Sequence, residues 1–223
     1  MREKMWIRMS GLGGQGVVTA AHILGAAATR EGLVSTVNPF FGAEKRLAPA
    51  ESYVRIDTSE IYERGEILFP NIIMIFHPDV ITMGKCYTMP FFEGLQPEGI
   101  LIINSNEFLN LDKEDLAKLA AIKAKVYYVP ATQIAQEVGG TELSTNIAML
   151  GAWLGVTGLI SQEAIKQSLA ERFGGGKFIA SGTTAALDDT MKSKFAKTSQ
   201  LIEKNMEVFE KASKSLKEFP LQA

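Results

Sequence analysis

The sequence is poor in the side chains that most often bind metals or form disulfides. It has one cysteine, Cys86, and two histidines, His22 and His77. One cysteine cannot form an intramolecular disulfide, and an iron-sulfur cluster normally requires about four cysteine thiolates. Neither histidine lies at zinc-ligand spacing from the cysteine. We therefore predict that this chain alone holds no disulfide, metal ion or iron-sulfur cluster.

A cationic excess and a long apolar run are also absent. The formal net charge is -2 and the pI is about 5.8, whereas nucleic-acid-binding proteins usually carry a basic surface. No run of about 18 apolar residues is present to span a membrane. The charged residues 1–4 pass directly into a strand-like segment, which is unlike a signal peptide. We predict a cytoplasmic protein that binds neither nucleic acid nor membranes.

The composition and the alternation of elements indicate an α/β protein. Apolar residues make up 46% and charged residues 22% of the chain, which suits a single α/β domain over residues 1–223. Strand patterns are predicted at Met5–Ser10, Leu33–Asn38, Ser52–Asp57, Ile72–Phe76, Gly99–Asn104 and Lys125–Val129. Helical patterns separate some of them, which predicts a doubly wound, mostly parallel, Rossmann-like sheet with helices on both faces. The C-terminal segment is predicted to be helical, with helices over residues 145–157 and 162–172 and a long amphipathic helix over residues 190–216.

A glycine-rich loop follows the first predicted strand. Gly11, Gly13 and Gly16 have the spacing G-x-G-x-x-G between a strand and a helix, where backbone N–H groups attract phosphate. A tight turn that only lets the strand and helix pack closely is an equally open interpretation. The spacing alone does not decide between them.

The loop does not have the other features of a nicotinamide or flavin site. Such sites place Asp or Glu about 20 residues further on, at the end of the second strand, and this chain has Asn38-Pro39 there. The next cations, Lys45 and Arg46, suit a phosphate group, although solvated surface charge is the alternative. These residues disfavour an NAD-dependent dehydrogenase and leave coenzyme A possible.

No catalytic constellation is evident. The sequence has no G-x-S-x-G nucleophile motif, and Cys86 is interpreted as an isolated thiol. His77 ends an apolar strand, where α/β sheets bind ligands, but a structural histidine is the alternative reading. His22, inside the first predicted helix, is interpreted as structural. The chain is therefore not predicted to contain catalytic residues of its own.

Three segments resemble one family. The segment from Ser10 to Ala21, SGLGGQGVVTAA, is similar to the start of the gamma subunits of pyruvate and related 2-oxoacid:ferredoxin oxidoreductases. The segment from Pro39 to Pro49, PFFGAEKRLAP, resembles their second signature, with Lys45 and Leu47 where Arg and Gly are common. The block from Thr145 to Ala152, TNIAMLGA, resembles a third. The likeness covers nearly the whole chain.

The resemblance implies a non-catalytic gamma subunit in a complex of anaerobic metabolism. Partner alpha, beta and delta (ferredoxin-like) subunits would hold thiamine diphosphate, Mg and [4Fe-4S] clusters, convert a 2-oxoacid to acyl-coenzyme A and CO2, and pass electrons to ferredoxin. The residues expected to help bind coenzyme A are Gly11, Gly13, Gly14, Gln15 and Gly16, with Lys45 and Arg46 near its phosphates. Pyruvate is the first choice of substrate, because the loop 40–42 is closest to that branch.

Three alternatives remain open. The first is a subunit of a coenzyme A-independent, or an aryl or branched-chain, 2-oxoacid oxidoreductase. The second is a free-standing dinucleotide-dependent oxidoreductase that uses the same glycine loop. The third is a subunit that only supports assembly, with its glycine loop packed against a neighbour.

Overall fold

One mixed sheet organises the fold. The computed structural model describes residues 4–42, 47–174 and 185–221, with only the backbone described for 185–196. The strands are β1 Lys4–Leu12, β2 Val34–Phe41, β3 Pro49–Asp57, β4 Ile72–Ile75, β5 Ile100–Asn104, β6 Lys125–Val129 and β7 Lys217–Phe219. The seven strands lie in the order β2-β3-β1-β4-β5-β6-β7. β1, β4, β5 and β6 are parallel neighbours.

Antiparallel pairs complete both sides of this parallel centre. β3 is antiparallel to β1 and to β2, and β7 is antiparallel to β6. β2 therefore points the same way as β1, so that five of the seven strands share one direction. This arrangement confirms the prediction of an α/β fold with a mostly parallel sheet.

The helices cover both faces of the sheet. They are α1 Val17–Arg30, α2 Asp79–Thr82, α3 Lys113–Ala121, α4 Ala131–Ile134 with a π-helical turn Ala135–Gly139, α5 Thr145–Thr157, α6 Gln162–Arg172 and α7 Ala185–Ser213. Alternate residues of β4 belong to two separate cores: Met74 to the core that includes buried residues of α1 and α5, and Ile75 to the core that includes Leu119 of α3. A strand buried on both faces has to be apolar throughout, as β4 is.

Small residues let α5 and α7 pack closely. A β-carbon on Gly151 would lie 2.1 Å from the Phe209 carbonyl oxygen, and one on Gly155 would lie 2.4 Å from that of Ser213. Both distances are far below van der Waals contact, so the helices touch backbone to backbone at these points. α5 is thereby buried between its neighbours, and Trp153 is fully buried.

The second strand differs from its prediction. The predicted end at Asn38 is wrong, because β2 continues through Pro39 to Phe41. β2 is an edge strand, with a ladder on one side only, and an edge strand tolerates proline because one of its sides needs no N–H donor. β3 lies between β1 and β2, so the strands on either side of α1 are not adjacent.

The C-terminal helix also ends earlier than residue 216. α7 ends at Ser213, and β7 follows at Lys217–Phe219 as an unpredicted edge strand. The Phe219 ring lies 5.1 Å from the Phe108 ring, so β7 provides both a backbone partner for β6 and an aromatic contact. Within the described part of the chain, no helix has the length and apolar character needed to cross a membrane.

Candidate ligand site at the glycine loop

The glycine loop lies at the carboxyl edge of the parallel strands. It joins the end of β1 to the start of α1, and β4, β5 and β6 end at the same edge. Gly16 is the N-cap of α1, with φ 72° and no side-chain cap hydrogen bond. The first N–H groups of a helix have no partner within the helix. This edge is where open α/β sheets bind ligands.

Two of the predicted glycines serve packing and pairing. Gly11 lies inside β1, and a β-carbon there would be 2.7 Å from Val17 Cγ2 and 2.9 Å from Phe76 Cβ. The Gly13 N–H donates to the Ala48 oxygen at 2.8 Å. The structure therefore buries Gly11 within the strand, whereas Gly13 is half-buried and pairs with the segment before β3.

Gly14 is the open position of the loop, and Gly16 is the half-buried residue that begins α1. Gly14 has φ 99°, and a β-carbon there would meet nothing within 4 Å. Among the residues that the structure describes, none accepts a hydrogen bond from the N–H of Gly14 or Gly16. Positive φ favours glycine at both positions. The loop thus offers backbone donors at its surface.

Gln15 closes the turn from inside. Its side-chain oxygen accepts the Leu12 N–H at 3.0 Å, and its own N–H donates to the Leu12 oxygen at 3.1 Å. A primary amide carries two N–H donors on its nitrogen in addition to this acceptor. Gln15 also lines the cavity beside the loop. It therefore both shapes the loop and adds a polar group to the adjoining surface.

Two depressions meet at Gly14. The first, here called the polar crevice, is a cavity of about 770 Å³ whose polar lining includes Gln15, His77, Asn104, Asn106, Asn110, Thr132 and Thr145. The second, the apolar hollow, has about 650 Å³ and is lined by Leu12, Val17, Phe41, Gly42, Pro49, Ala50 and loop glycines. A ligand with one polar and one apolar end can cross the loop between them.

Two side chains of the polar crevice are fixed by hydrogen bonds. His77 Nδ1 accepts the Asp79 N–H at 3.1 Å, so the neutral ring carries its proton on Nε2. Asn104 donates to the Phe76 oxygen and to Thr132 Oγ1, both at 2.8 Å. Asn104 therefore ties the ends of β4 and β5 to α4 and holds the crevice wall.

Asn146 contacts the loop and did not emerge from sequence reasoning as a site residue. It lies in the first turn of α5, is 5% exposed, and its Nδ2 donates to the Gly16 oxygen at 3.4 Å. A β-carbon on Gly16 would lie 2.5 Å from this nitrogen. Only its place in the 145–152 signature, TNIAMLGA, marked it in the sequence, because its partner is 130 residues away.

The remaining candidates lie elsewhere or outside the description. Lys45 and Arg46 are outside the described residues. Cys86 Sγ donates to the Thr88 oxygen at 3.0 Å, and burial raises the pKa of the thiol, which keeps it protonated. His22 is exposed on α1. The residues that the structure describes contain no group of three or more His, Cys, Asp or Glu able to hold a metal ion.

The strand order argues against a dinucleotide site. In a dinucleotide-binding fold the acidic residue that binds ribose follows the strand next to β1. Here β3 occupies that place, and β2 with Asn38 lies two strand spacings, about 10 Å, from β1. A ribose bound at the glycine loop would therefore face the start of β3 and its preceding segment.

Comparison with known proteins identifies the family. The profile described as pyruvate ferredoxin/flavodoxin oxidoreductase matches residues 6–186. The chain belongs to this family. The common gamma subunit of the pyruvate/ketoisovalerate oxidoreductases of Thermococcus kodakarensis is 38% identical over 169 residues, which are 76% of this chain and 86% of that subunit. Pyruvate synthase subunit PorC of Methanothermobacter thermautotrophicus is 37% identical over 170 residues, 76% of this chain and 85% of the relative.

These relatives confirm the predicted resemblance. The chain is a gamma-type subunit of this oxidoreductase family. The crystal structure of a pyruvate oxidoreductase subunit from Thermotoga maritima matches 98% of this chain and 100% of its own, with TM-score 0.70 and 23% identity. The 2-oxoglutarate:ferredoxin oxidoreductase of Magnetococcus marinus, solved with 2-oxoglutarate, coenzyme A and succinyl-CoA, matches 95% of this chain and 31% of its own, with TM-score 0.68 and 21% identity. Both likenesses support the fold.

Proposed function

We propose that this chain receives coenzyme A at the glycine loop of a 2-oxoacid:ferredoxin oxidoreductase complex, and that its partners carry out the redox chemistry. The observation that carries the proposal is the open position of Gly14, which joins the polar crevice to the apolar hollow. Coenzyme A has a phosphate-bearing nucleotide and a polar pantetheine arm, so it needs N–H donors beside a polar channel. The loop and the crevice supply both.

Each part of the site has a role in this proposal. The N–H groups of Gly14 and Gly16, at the start of α1, bind phosphate oxygens, and Gln15 donates from its side chain. Gly11 and Gly13 support the loop through packing and pairing. Lys45 and Arg46 are included because their positive charge suits phosphate. In the sequence they also stand between Gly42, which lines the apolar hollow, and Leu47, whose N–H donates to the Gly13 oxygen.

Positioning is the contribution to catalysis. A thiol held near the reaction centre of another subunit attacks far more often than a free thiol, because the entropy cost of bringing the two reactants together has already been compensated by the binding energy of coenzyme A. No proton transfer by this chain is required. The proposal therefore predicts that the purified chain has no oxidoreductase activity without its partners.

The partners follow from the family and from the composition. We propose alpha, beta and ferredoxin-like delta subunits that hold thiamine diphosphate, Mg and [4Fe-4S] clusters, with ferredoxin as the electron acceptor. The relatives are named as subunits, and the Magnetococcus match covers 31% of a longer chain. The single cysteine of this sequence agrees with clusters held elsewhere.

Pyruvate is the proposed substrate, with a branched-chain 2-oxoacid as the second candidate. Several relatives are pyruvate synthase subunits, and others are common to pyruvate and ketoisovalerate oxidoreductases. A gamma subunit shared by both enzymes in these relatives supports the branched-chain 2-oxoacid as the second candidate. Copurification of the complex followed by a screen of 2-oxoacids tests both.

The substitution Gly14→Val in the assembled complex tests the ligand site. Its side chain would enter the open space above the loop, and we expect the KM for coenzyme A to rise at least about tenfold, the loss of one or two hydrogen bonds to a charged group. Gly32→Val is the matched control, because Gly32 also has positive φ and open space but lies at the far end of α1. An unchanged KM in Gly14→Val would favour the assembly-only alternative.

Calorimetry on the purified chain separates the remaining alternatives. We expect binding of coenzyme A and weaker or no binding of NAD and FAD, because the strand after α1 carries Asn38 where dinucleotide sites have the Asp or Glu that binds the ribose diol. A clear preference for NAD would reverse the proposal in favour of a free-standing oxidoreductase. A complex that turns over 2-oxoacids without coenzyme A would favour the coenzyme A-independent alternative.

A further inference from the structure

The described flanks of the β2–β3 hairpin lie beside the glycine loop. They are Gly42, after β2, and Leu47 to Pro49, at the start of β3. The Gly13 N–H donates to the Ala48 oxygen at 2.8 Å, and the Leu47 N–H donates to the Gly13 oxygen at 3.3 Å. The second flank of the hairpin is therefore hydrogen-bonded directly to the glycine loop.

Tyr87 joins the two flanks of the hairpin. Its hydroxyl accepts the Gly42 N–H at 3.0 Å and donates to the Pro49 oxygen at 2.9 Å. Its ring stands edge-on to Phe40, with 4.8 Å between ring centroids. Gly42 and Pro49 both line the apolar hollow. One phenol thus bridges two residues that line the hollow.

The segment that carries Tyr87 is itself anchored to the sheet. The Tyr87 N–H donates to Glu51 Oε1 at 3.3 Å. Glu51 is buried in β3 and also accepts from Ser10 Oγ at 3.3 Å and from the Tyr53 hydroxyl at 2.6 Å. Ser10 directly precedes Gly11. Glu51 therefore links Tyr87 to β3 and, through Ser10, to the end of β1 next to the glycine loop.

We propose that Tyr87 is a positioning residue that fixes Gly42 and Pro49, the described flanks of the β2–β3 hairpin, beside the glycine loop and so sets the affinity of the complex for coenzyme A. This inference rests on the proposed function. The residue is 43% exposed, so its hydroxyl is not required for a buried core. Its role is to hold the wall of the apolar hollow in a single place before the ligand arrives, which lowers the ordering cost of binding.

The test is Tyr87→Phe in the assembled complex. The variant keeps the ring and its contact with Phe40 and loses both hydroxyl hydrogen bonds. We expect the KM for coenzyme A to rise about threefold to tenfold, with kcat and the KM for the 2-oxoacid unchanged. Tyr62→Phe is the matched control, since the Tyr62 hydroxyl donates to Glu60 on a 79% exposed side chain, and we expect no change there.

Hydrogen exchange on the complex without coenzyme A provides a second readout. The Gly42 amide loses its acceptor in Tyr87→Phe and should exchange at least about tenfold faster than in the wild type, whereas Tyr62→Phe should leave it unchanged. Unchanged exchange at Gly42, or a KM equal to that of Tyr62→Phe, overturns the inference. So does a fall in kcat with an unchanged KM, which would indicate general damage.

The outcomes also separate this inference from the proposed function. If Gly14→Val raises the KM for coenzyme A and Tyr87→Phe does not, only the role of Tyr87 is wrong. If the wild-type complex does not depend on coenzyme A, both the site and the positioning role fall. If both variants raise the KM and the two controls do not, both are supported.

Discussion

The contact between Gly16 and Asn146 makes a sharp prediction about stability. In Gly16→Ala the new β-carbon would lie 2.5 Å from Nδ2, 3.0 Å from Cγ and 3.2 Å from Cβ of Asn146. The amide nitrogen can rotate away, but Cβ cannot, because it is attached to the backbone of α5. Either α5 or the start of α1 has to shift.

The cost can be worked out from two contributions. A non-glycine residue in the left-handed region costs about 1–2 kcal/mol, and overpacking a tight site costs about 1–3 kcal/mol. We therefore expect Gly16→Ala to lower the free energy of unfolding by about 2–5 kcal/mol. Gly14→Ala is the matched control. Nothing lies within 4 Å of its β-carbon, so only the backbone strain applies, and we expect a loss of about 1–2 kcal/mol.

Urea denaturation of the two variants measures the difference. The midpoint should fall more for Gly16→Ala at an unchanged m-value, and the melting temperature should fall by about 2–4 °C for each kcal/mol. A double-mutant cycle with Asn146→Ala should return a coupling energy of at least about 1 kcal/mol, since alanine removes Nδ2 and Cγ, the two atoms closest to the new β-carbon, and leaves only the 3.2 Å contact with Cβ. Equal costs for Gly16→Ala and Gly14→Ala would refute the contact on which the reasoning depends.

Three further predictions concern the scaffold. Ser161→Ala should lower the free energy of unfolding by about 1 kcal/mol, because the Ser161 side chain caps α6. Asp112→Ala removes an N-cap residue that makes no side-chain hydrogen bond, so it should cost less in the same urea titration, and equal costs would contradict this. Gly151→Ala should lower the free energy of unfolding by about 1–3 kcal/mol, because the new β-carbon would lie 2.1 Å from the carbonyl oxygen of Phe209. A melting temperature at or above that of the wild type would refute the close packing of α5 on α7. Burial, and then a hydrogen bond to the Glu51 carboxylate, raise the pKa of Tyr53 above its ordinary value of 10.0. The unfolded chain therefore loses this proton first, and the free energy of unfolding falls as the pH rises above about 10. Tyr53→Phe should reduce the dependence of the unfolding free energy on pH by up to about 1.4 kcal/mol per pH unit, and an unchanged dependence would count against this.

Local patterns predicted many of the elements well. β6 has its predicted bounds Lys125–Val129, and α5 and α6 begin and end at their predicted residues. The cap that begins α6 at Ser161 is a feature of adjacent residues. Such elements were predictable because their hydrophobic period and end signals lie within about a dozen residues.

The short edge strand and the end of α7 were not predictable in this way. Three residues, Lys217–Phe219, become a strand because β6 presents an unpaired edge beside them. Their own sequence, KEF, has too few residues to show a strand period. The same is true of Pro39, whose place in β2 is acceptable only because β2 turned out to be an edge strand.

By itself, the sequence determined that this is an α/β protein with a glycine loop between its first strand and helix, and that it resembles a gamma subunit with few chemically reactive residues. Only the tertiary structure decided that β3 lies between β1 and β2, and which glycines of the loop are open. It alone brought Asn146 and Tyr87 to the loop and its hairpin. The physical reason is that spacing and composition record what neighbours along the chain can form, whereas a contact across 130 residues, such as that of Asn146 with Gly16, depends on how the whole sheet and its helices assemble.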